Sequence, residues 1–429
     1  MKYNVLLIGS GGREHALAWK ISQSSLLNRL YALPGNPGIS EVAESVEGKA
    51  GDFDSIKKAV VQKNIDLVVV GPEDPLVNGL RDFLEADEKT KSVLFTGPGR
   101  EGARLEGSKE FAKEFMKRHS IPTAAYRTFS KDEYDEACRF IDSIESPYVL
   151  KADGLAAGKG VLIIEDAEEA KHSLAEMYAG KFGSAGNRVV IEQFLSGVEV
   201  SYFVLTDGKD YLLLPEAKDY KRVGDGDKGL NTGGMGAVSP VPFADEEFTA
   251  KVKERIIVPT IEGLREEGIR YNGFIFLGLM NCGGDPFVIE YNVRMGDPET
   301  EAVMTRIDSD LLSHLIAAAR GDISGEEMKI SSESAVTGII ASGGYPEHYA
   351  KGFAIEGLEN VKDAIVFQSG TSLTGGKTVT SGGRVLAVTA NGSSLTDARE
   401  KLYKDLEKIK FDNCYHRNDI ALDIINYKK

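Results

Sequence analysis

Four short apolar runs in the first hundred residues, Val5 to Ile8, Leu30 to Leu33, Leu67 to Val70 and Val93 to Phe95, alternate with helix-like stretches. Runs of this length with a helix between them read as buried strands of a parallel βαβ sheet. Glycine and proline interrupt the chain after the runs, at Pro34-Gly35-Asn36-Pro37-Gly38, Gly71-Pro72-Glu73 and Gly97-Pro98-Gly99. Open parallel sheets place their ligand-facing turns at that end of the strands. An N-terminal open parallel α/β domain is therefore expected over residues 1–107.

Ser108 can cap a helix whose apolar residues Phe111, Phe115 and Met116 share one face and which ends before Ile121-Pro122. Beyond it the pattern turns to strand pairs: Tyr148 to Lys151, Val161 to Ile164, Val189 to Glu192, Val198 to Leu205, Gly273 to Met280 and Phe287 to Asn292. That pattern predicts a central α+β domain over 108–325. Val223 to Ala237 is so rich in glycine and aspartate that a long mobile loop is expected there, and such loops often carry function. Further strands and a helix from about Leu395 to Ile409 predict a small C-terminal α+β domain over 326–429. A chain of 429 residues exceeds what one core organises, so a multidomain α/β and α+β protein is the expectation.

Composition narrows the class. No apolar run approaches the roughly eighteen residues of a membrane span, and Met1 leads into Val5 to Ile8 without the features of a signal peptide. A cytoplasmic protein is expected. Cys138, Cys282 and Cys414 lack the spacing of a disulfide framework or zinc site. A net charge of −15 opposes nucleic-acid binding. No exposed apolar stripe marks an interface, so the sequence does not give the oligomeric state; the expected partners are small molecules, with no stable protein partner predicted.

The turn after the first run, Gly9-Ser10-Gly11-Gly12-Arg13-Glu14-His15, brings small residues to a helix N-terminus, where backbone N–H groups attract anions. It is not a dinucleotide fingerprint: Glu14 stands in place of the third glycine, and no acidic residue ends the second run. A tight turn and a site for a phosphorylated small substrate both remain open. Two stretches imitate a P-loop and fail its spacing. Gly376-Lys377-Thr378 reads as a hairpin among Thr and Val residues. Gly154-Leu155-Ala156-Ala157-Gly158-Lys159-Gly160 follows Lys151 and places two lysines around a pliable loop suited to covering a triphosphate. Lys109 adds a cation in a helix's first turn, which opposes the macrodipole unless an anion sits there too.

Along Phe287 to Val293, strand alternation puts Glu290, Asn292 and Arg294 on one face and Ile289, Tyr291 and Val293 on the other. A carboxylate and an amide oxygen are hard ligands suited to Mg²⁺, with phosphate oxygens and water completing the shell.

These pieces, in this order, resemble the ATP-grasp superfamily. Within it, Gly9 to Ala16, Val70 to Glu73, Leu105 to Lys109, Lys151 to Gly160, Lys221 to Asp225, Asn231 to Ala237, Asn292 to Thr300, Gly343 to Pro346 and Gly382 to Val385 look like the glycinamide ribonucleotide synthetase family. The resemblance spans essentially the whole chain. It implies a central ATP-grasp domain of two α+β subdomains, with the lid subdomain over about 123–194. It also implies ATP-dependent joining of glycine to 5-phosphoribosylamine through glycyl phosphate. Carried over, Lys109 and Lys151 would bind phosphates, Gly158, Lys159 and Gly160 would cover the triphosphate, and Glu192, Gln193, Phe194 and Leu195 would contact adenine. Glu199 would accept from the ribose, and Glu290 and Asn292 would hold Mg²⁺ or Mn²⁺. Gly11, Gly12, Arg13, Glu73, Asp219, Lys221, Arg222, Asn231, Thr232, Gly233, Gly234 and Arg294 would serve the phosphoribosylamine and glycine side, with Arg294, Lys159 and Asp297 catalytic. Tyr220 stands where many relatives have His, so no acid–base role is expected of it. No carboxylate lies between Asn272 and Asn281, which leaves a third metal ligand unassigned.

Overall fold

The computed structural model describes residues 2–155 and 160–427. In the N-terminal part, five parallel strands stand in the order Glu44–Ser45, Leu27–Pro34, Tyr3–Gly9, Leu67–Val70, Leu94–Thr96. The central strands are apolar on both faces, as a sheet covered on both sides requires. The edge strand Glu44–Ser45 was not expected, because two residues are too short to leave a periodic signal.

Ser108 accepts from the Phe111 amide and caps the helix Lys109–Arg118, which leads into an antiparallel lid sheet. Its strand order is Tyr126–Ser130, Arg188–Gln193, Tyr148–Ala152, Val161–Ile164. Phe129, Ile141, Leu150, Leu174 and Ile191 give this sheet a core of its own. A second antiparallel sheet, ordered Tyr211–Leu213, Val198–Thr206, Gly273–Cys282, Asp285–Asn292, forms the other α+β unit.

The stretch expected as a mobile loop is ordered differently. Arg222–Gly224 and Lys228–Asn231 pair as a hairpin, turned through Gly226 and Asp227 at positive φ. Arg417, 2% exposed, donates to the Arg222 carbonyl and to Asp227, while Gly226 N donates to Asp419 and Asn418 N to Asp225. The glycines and aspartates are thus turn-formers and anchors. Gly236–Ser239 then pairs antiparallel with Ser334–Ser342, joining a sheet ordered Lys218–Asp219, Gly236–Ser239, Ser334–Ser342, Arg384–Gly392, Ala364–Gln368. Cys414–Tyr415 adds to its Ser334–Ser342 strand. Tyr220, 2% exposed, donates to Asp423 at 2.5 Å and accepts from the Ala421 amide, so it fastens this region to the C-terminal segment. Thr371–Thr374 and Lys377–Thr380 form the expected hairpin through Gly375 and Gly376. The last long helix, Leu395–Leu406, stops short of the expected Ile409.

His15 joins the first and last sheets. Its Nδ1 accepts from the Gln368 amide at 2.8 Å, and its ring packs edge-on against Phe367 at 5.5 Å. Burial lowers its pKa from 6.5 to about 4. The folded protein therefore binds fewer protons here than the unfolded chain. His15 costs no stability above pH 6.5 and increasingly destabilises as pH falls from about 6.5 to about 4, by roughly 3 kcal/mol in all. Urea unfolding of the wild type and His15→Gln at pH 7.5 and pH 5 checks this: the wild type should lose more stability than the variant on acidification.

Candidate active site

The Asp285–Asn292 strand is not a regular ladder. Glu290 stands opposite Gly278 and Val288 opposite Leu279, which leaves Ile289 as an extra residue in a bulge. Ile289 is therefore not the core-packing residue that simple alternation predicts. Its carbonyl accepts from Lys151 Nζ at 3.0 Å. Lys151, 4% exposed at the end of a lid strand, also lies 3.0 Å from Glu192 Oε1. The other Glu192 oxygen lies 3.0 Å from Lys113 Nζ, which donates to Thr123 Oγ1 at 2.7 Å. Burial pushes Lys113 down to about 8 against the pull of Glu192. Lys113 was not expected in the site, although its place one helical turn after Lys109 is a signal that could have found it.

Lys109 Nζ donates to the Gly154 carbonyl at 3.2 Å. Asp153 Oδ1 accepts from Ser108 Oγ at 3.0 Å and from the Glu110 amide at 3.1 Å. Asp153 is thus an anion at this helix N-terminus, and the start of the lysine loop is fastened there. Burial lowers the Lys109 pKa, with Glu290 opposing. Around Glu290 the balance is reversed: burial disfavours its charge, yet Lys221, Lys151, Lys109 and Arg294 together hold its carboxyl below the usual range. Lys221 pairs with Glu199, and Asp219 and Glu290 further favour its charge against desolvation. Asp219 is raised by burial.

Arg294 binds several parts of the chain together. Its Nη2 donates to Glu106 Oε1 at 2.7 Å and to Asn292 Oδ1 at 3.1 Å, and its Nε lies 3.3 Å from Glu73 Oε2. Glu106 also accepts from the Val293 amide at 2.8 Å. Its own pKa is raised by burial, with Arg294 opposing. Burial works against the charge of Glu73 too, but Arg294 and Arg13 outweigh it and hold this carboxyl low. Glu106 was missed because a helical glutamate reads as surface.

At the first turn, Glu14 changes the reading of the glycines. Its Oε2 accepts from the Gly11 amide at 2.6 Å and the Ser10 amide at 3.1 Å. A Cβ at Gly9 would sit 2.5 Å from the Glu14 side chain, and one at Gly71 only 2.0 Å away. The small residues make room for Glu14, and Gly12 and Arg13 begin the helix Gly12–Ser22. Arg13 is buried against Glu14 at 2.6 Å and donates to the Met295 carbonyl.

Asp297 faces this turn, 3.5 Å from where a Gly11 Cβ would be, and pairs with Arg384 Nη2 at 3.0 Å. Arg384 Nη1 donates to the Gly233 carbonyl at 2.5 Å and the Asp297 carbonyl at 2.9 Å. Tyr345 accepts from the Gly233 amide, and Thr232 Oγ1 accepts from the Gly234 amide. Gly234 has φ +111° and meets Pro298 so closely that a Cβ would be 2.4 Å from its ring. Arg384 and Tyr345, a hundred residues downstream, carry no local signal of this role.

The structure brings together Lys109, Lys151, Glu192, Glu199, Asp219, Lys221, Glu290, Asn292 and Arg294 on one side. It gathers Gly11, Gly12, Arg13, Glu73, Asp297, Thr232, Gly233 and Gly234 on the other. Arg222 and Asn231 lie on the hairpin, where Arg222 donates to the Gly229 carbonyl. Gln193 and Phe194 are exposed and Leu195 half-buried as the chain leaves the lid sheet. Gly160 is buried, its carbonyl accepting from Ala152, while Gly158 and Lys159 lie outside the described residues.

Arg384→Lys keeps the charge and loses the planar fork. Amide exchange at Gly233 and Gly234 should then accelerate about tenfold or more, while the Arg384–Gly392 strand stays protected. Unchanged exchange would show that Arg384 does not hold the turn.

The Phosphoribosylglycinamide synthetase N domain, ATP-grasp (A) domain and C domain match residues 3–106, 107–300 and 335–423 respectively. A phosphoribosylamine–glycine ligase of Rhizobium meliloti (strain 1021) is 47% identical, with 97% of each chain covered. A ligase of the same name from Caldanaerobacter subterraneus subsp. tengcongensis is 43% identical over 97% of this chain and 99% of its own. The crystal structure of phosphoribosylamine–glycine ligase from Thermotoga maritima superposes with a TM-score of 0.86 at 35% identity, covering 97% of this chain and 100% of that one. Biotin carboxylase from Campylobacter jejuni, at 16% identity and a TM-score of 0.74 over 99% of this chain and 97% of its own, shares the fold. The chain belongs to the phosphoribosylglycinamide synthetase family, the phosphoribosylamine–glycine ligases.

Proposed function

We infer that this chain uses ATP to join glycine to 5-phosphoribosylamine, giving glycinamide ribonucleotide, ADP and phosphate in purine biosynthesis. The observation that carries the reading is the setting of Glu290, a carboxylate kept ionised by Lys221, Lys151, Lys109 and Arg294 on the strand Asp285–Asn292, after which Asp297 faces the Gly11 turn. A cluster of that kind suits a triphosphate and a developing acyl phosphate better than any protein nucleophile.

In this reading ATP lies between the lid sheet and the central sheet. Lys109 and Lys151 take its α- and β-phosphates, Glu192 to Leu195 contact adenine, and Glu199 accepts from the ribose. Gly158, Lys159 and Gly160 cover the triphosphate, a role for Gly158 and Lys159 that rests on the family resemblance. Glu290 and Asn292 fit a hard divalent cation, Mg²⁺ or Mn²⁺: one ionised carboxylate and one amide oxygen lie on adjacent same-face positions. Among the described residues no group of three or more His, Cys, Asp or Glu is placed to hold a metal, which leaves the other positions to phosphate oxygens and water. When held by Glu290 and Asn292, the cation would neutralise negative charge on the phosphates and on the leaving group.

Glycine's carboxylate attacks the γ-phosphorus, the bond to the ADP oxygen breaks, and glycyl phosphate results. The amine of phosphoribosylamine then attacks the acyl carbon, phosphate leaves with the bonding electrons, and the proton shed by the nitrogen passes to the departing phosphate. Arg294, fixed by Glu73 and Glu106, faces the charge that develops in transfer. Gly11, Gly12 and Arg13, with Glu73, Asp297 and the Asn231 to Gly234 turn, seat the acceptor and glycine, and Asp219, Lys221 and Arg222 border that space. Catalysis here is positioning and charge stabilisation.

We place domain limits at 1–107, 108–325 and 326–429, with the lid over about 123–194. The matches to separate N, A and C models support that division, although Gly236–Ser239 pairs into the C-terminal sheet. We also place the protein in the cytoplasm. Among the described residues no helix is long and apolar enough to cross a membrane.

The test follows ADP release with Mg·ATP, glycine and phosphoribosylamine generated in place, omitting each in turn and weighing the product. Release needing all three, with the mass of glycinamide ribonucleotide, is expected; release only with formate or bicarbonate in place of glycine would overturn the acceptor reading. Glu290→Gln with Asn292→Ala should lower turnover about 100-fold or more while thermal unfolding stays close to wild type. Unchanged turnover would remove the metal assignment.

A further inference from the structure

Glu301, in the short helix Glu299–Val303 after Asp297-Pro298, is fully buried at 0% exposure. Neither carboxylate oxygen has a hydrogen-bond partner among the described residues. A buried polar group left unsatisfied is costly, and in native proteins it calls for a water, an ion or a ligand. Its surroundings say which. A Cβ on Gly12 would lie 2.4 Å from Glu301 Oε1, so the carboxyl rests against the first residue of the eleven-residue helix Gly12–Ser22 and only glycine permits that approach. Helix N-termini of this length attract phosphate and other anions. Glu301 therefore presents two unused oxygens beside the place where the acceptor's sugar phosphate would sit.

We propose that Glu301 is a further binding residue of this site, hydrogen-bonding the phosphoribosyl group held at the N-terminus of the Gly12–Ser22 helix. The inference rests on the acceptor placement argued above and adds to it a residue and a protonation state. The groups facing Glu301 are Asp297, Arg384 on its C-terminal strand, and Arg13 on the helix. Burial, and next Asp297, raise its pKa well above the ordinary carboxyl value, against the opposing pull of Arg384 and Arg13. In that uncharged form the group is a donor as well as an acceptor, and it approaches a phosphate oxygen without repulsion. An ionised glutamate in the same place would repel the ligand.

Glutamine keeps the size, the neutrality and a donor; alanine keeps none of the polar function. Calorimetric titration of the full chain with ribose 5-phosphate at pH 7 separates these. Glu301→Gln should bind within about twofold of wild type, and Glu301→Ala about tenfold more weakly or worse, with the KM values for ATP and glycine little changed. Equal binding by wild type and Glu301→Ala would overturn the inference and make the carboxyl a partner of a trapped water. Equal loss in both variants would overturn it by showing an ionised carboxylate at work.

Should Glu301→Ala fail to fold, a pH series on the other two proteins decides. Wild-type affinity should fall as pH is raised and Glu301 loses its proton, whereas Glu301→Gln should stay flat, since Arg13 and Arg384 keep their charge. Parallel profiles would overturn the inference. A wild type that neither binds ribose 5-phosphate nor is inhibited by it would remove the acceptor site and the inference together, whereas binding that ignores Glu301 would remove the inference alone.

Discussion

The Arg294 guanidinium holds three segments of the site in register. It reaches Glu73 after the Leu67–Val70 strand of the first sheet, Glu106 at the end of the Arg100–Gly107 helix, and Asn292 on the strand that bears Glu290. A planar fork with several donors satisfies these partners at once, which a lysine could not. The first sheet and the central sheet thereby share a charged contact inside the protein, and Glu106 extends it by accepting from the Val293 backbone. Asn292 keeps its amide oxygen oriented through the same network.

Around this point the carboxylates separate into two populations. Glu290 and Glu73 are surrounded by cations and held ionised in spite of burial. Glu106, Asp219 and Glu299 lie where burial dominates, and their pKa values rise, that of Glu299 to about 7 with Asp219 adding to the effect. Position in the site, rather than residue type, sets which acids carry charge. The result is a cluster around Glu290 rich in fixed cations, although the chain as a whole carries a net charge of −15.

Much of this was legible because the chemistry is carried by local stretches. Strand alternation put Glu290, Asn292 and Arg294 together, and the Lys151 loop singled out a lysine that the structure sets beside Glu290. What the sequence hid depends on distance along the chain. Arg384 reaches Gly233 and Asp297 from more than eighty residues away, and no local pattern announces that. The bulge at Ile289 broke the alternation by one residue and turned a packing position into a carbonyl that accepts from Lys151. Glycines that left a tight turn and a phosphate site both open clear space for Glu14. The Val223 to Ala237 stretch was misread for a related reason: its anchors, Arg417, Asn418 and Asp419, lie near the other end of the chain.

The pairing of Gly236–Ser239 with Ser334–Ser342 also bears on how the chain assembles. During synthesis the earlier strand emerges about a hundred residues before the strand it needs. Until then it presents an unpaired edge next to the glycine-rich turn that will border the reaction space, and closing so large a loop is slow. The lid sheet, with its own core, has no such dependence. A ribosome-bound chain can therefore hold a finished lid sheet while the Gly236–Ser239 strand still lacks its Ser334–Ser342 neighbour, so that the two regions mature at different times.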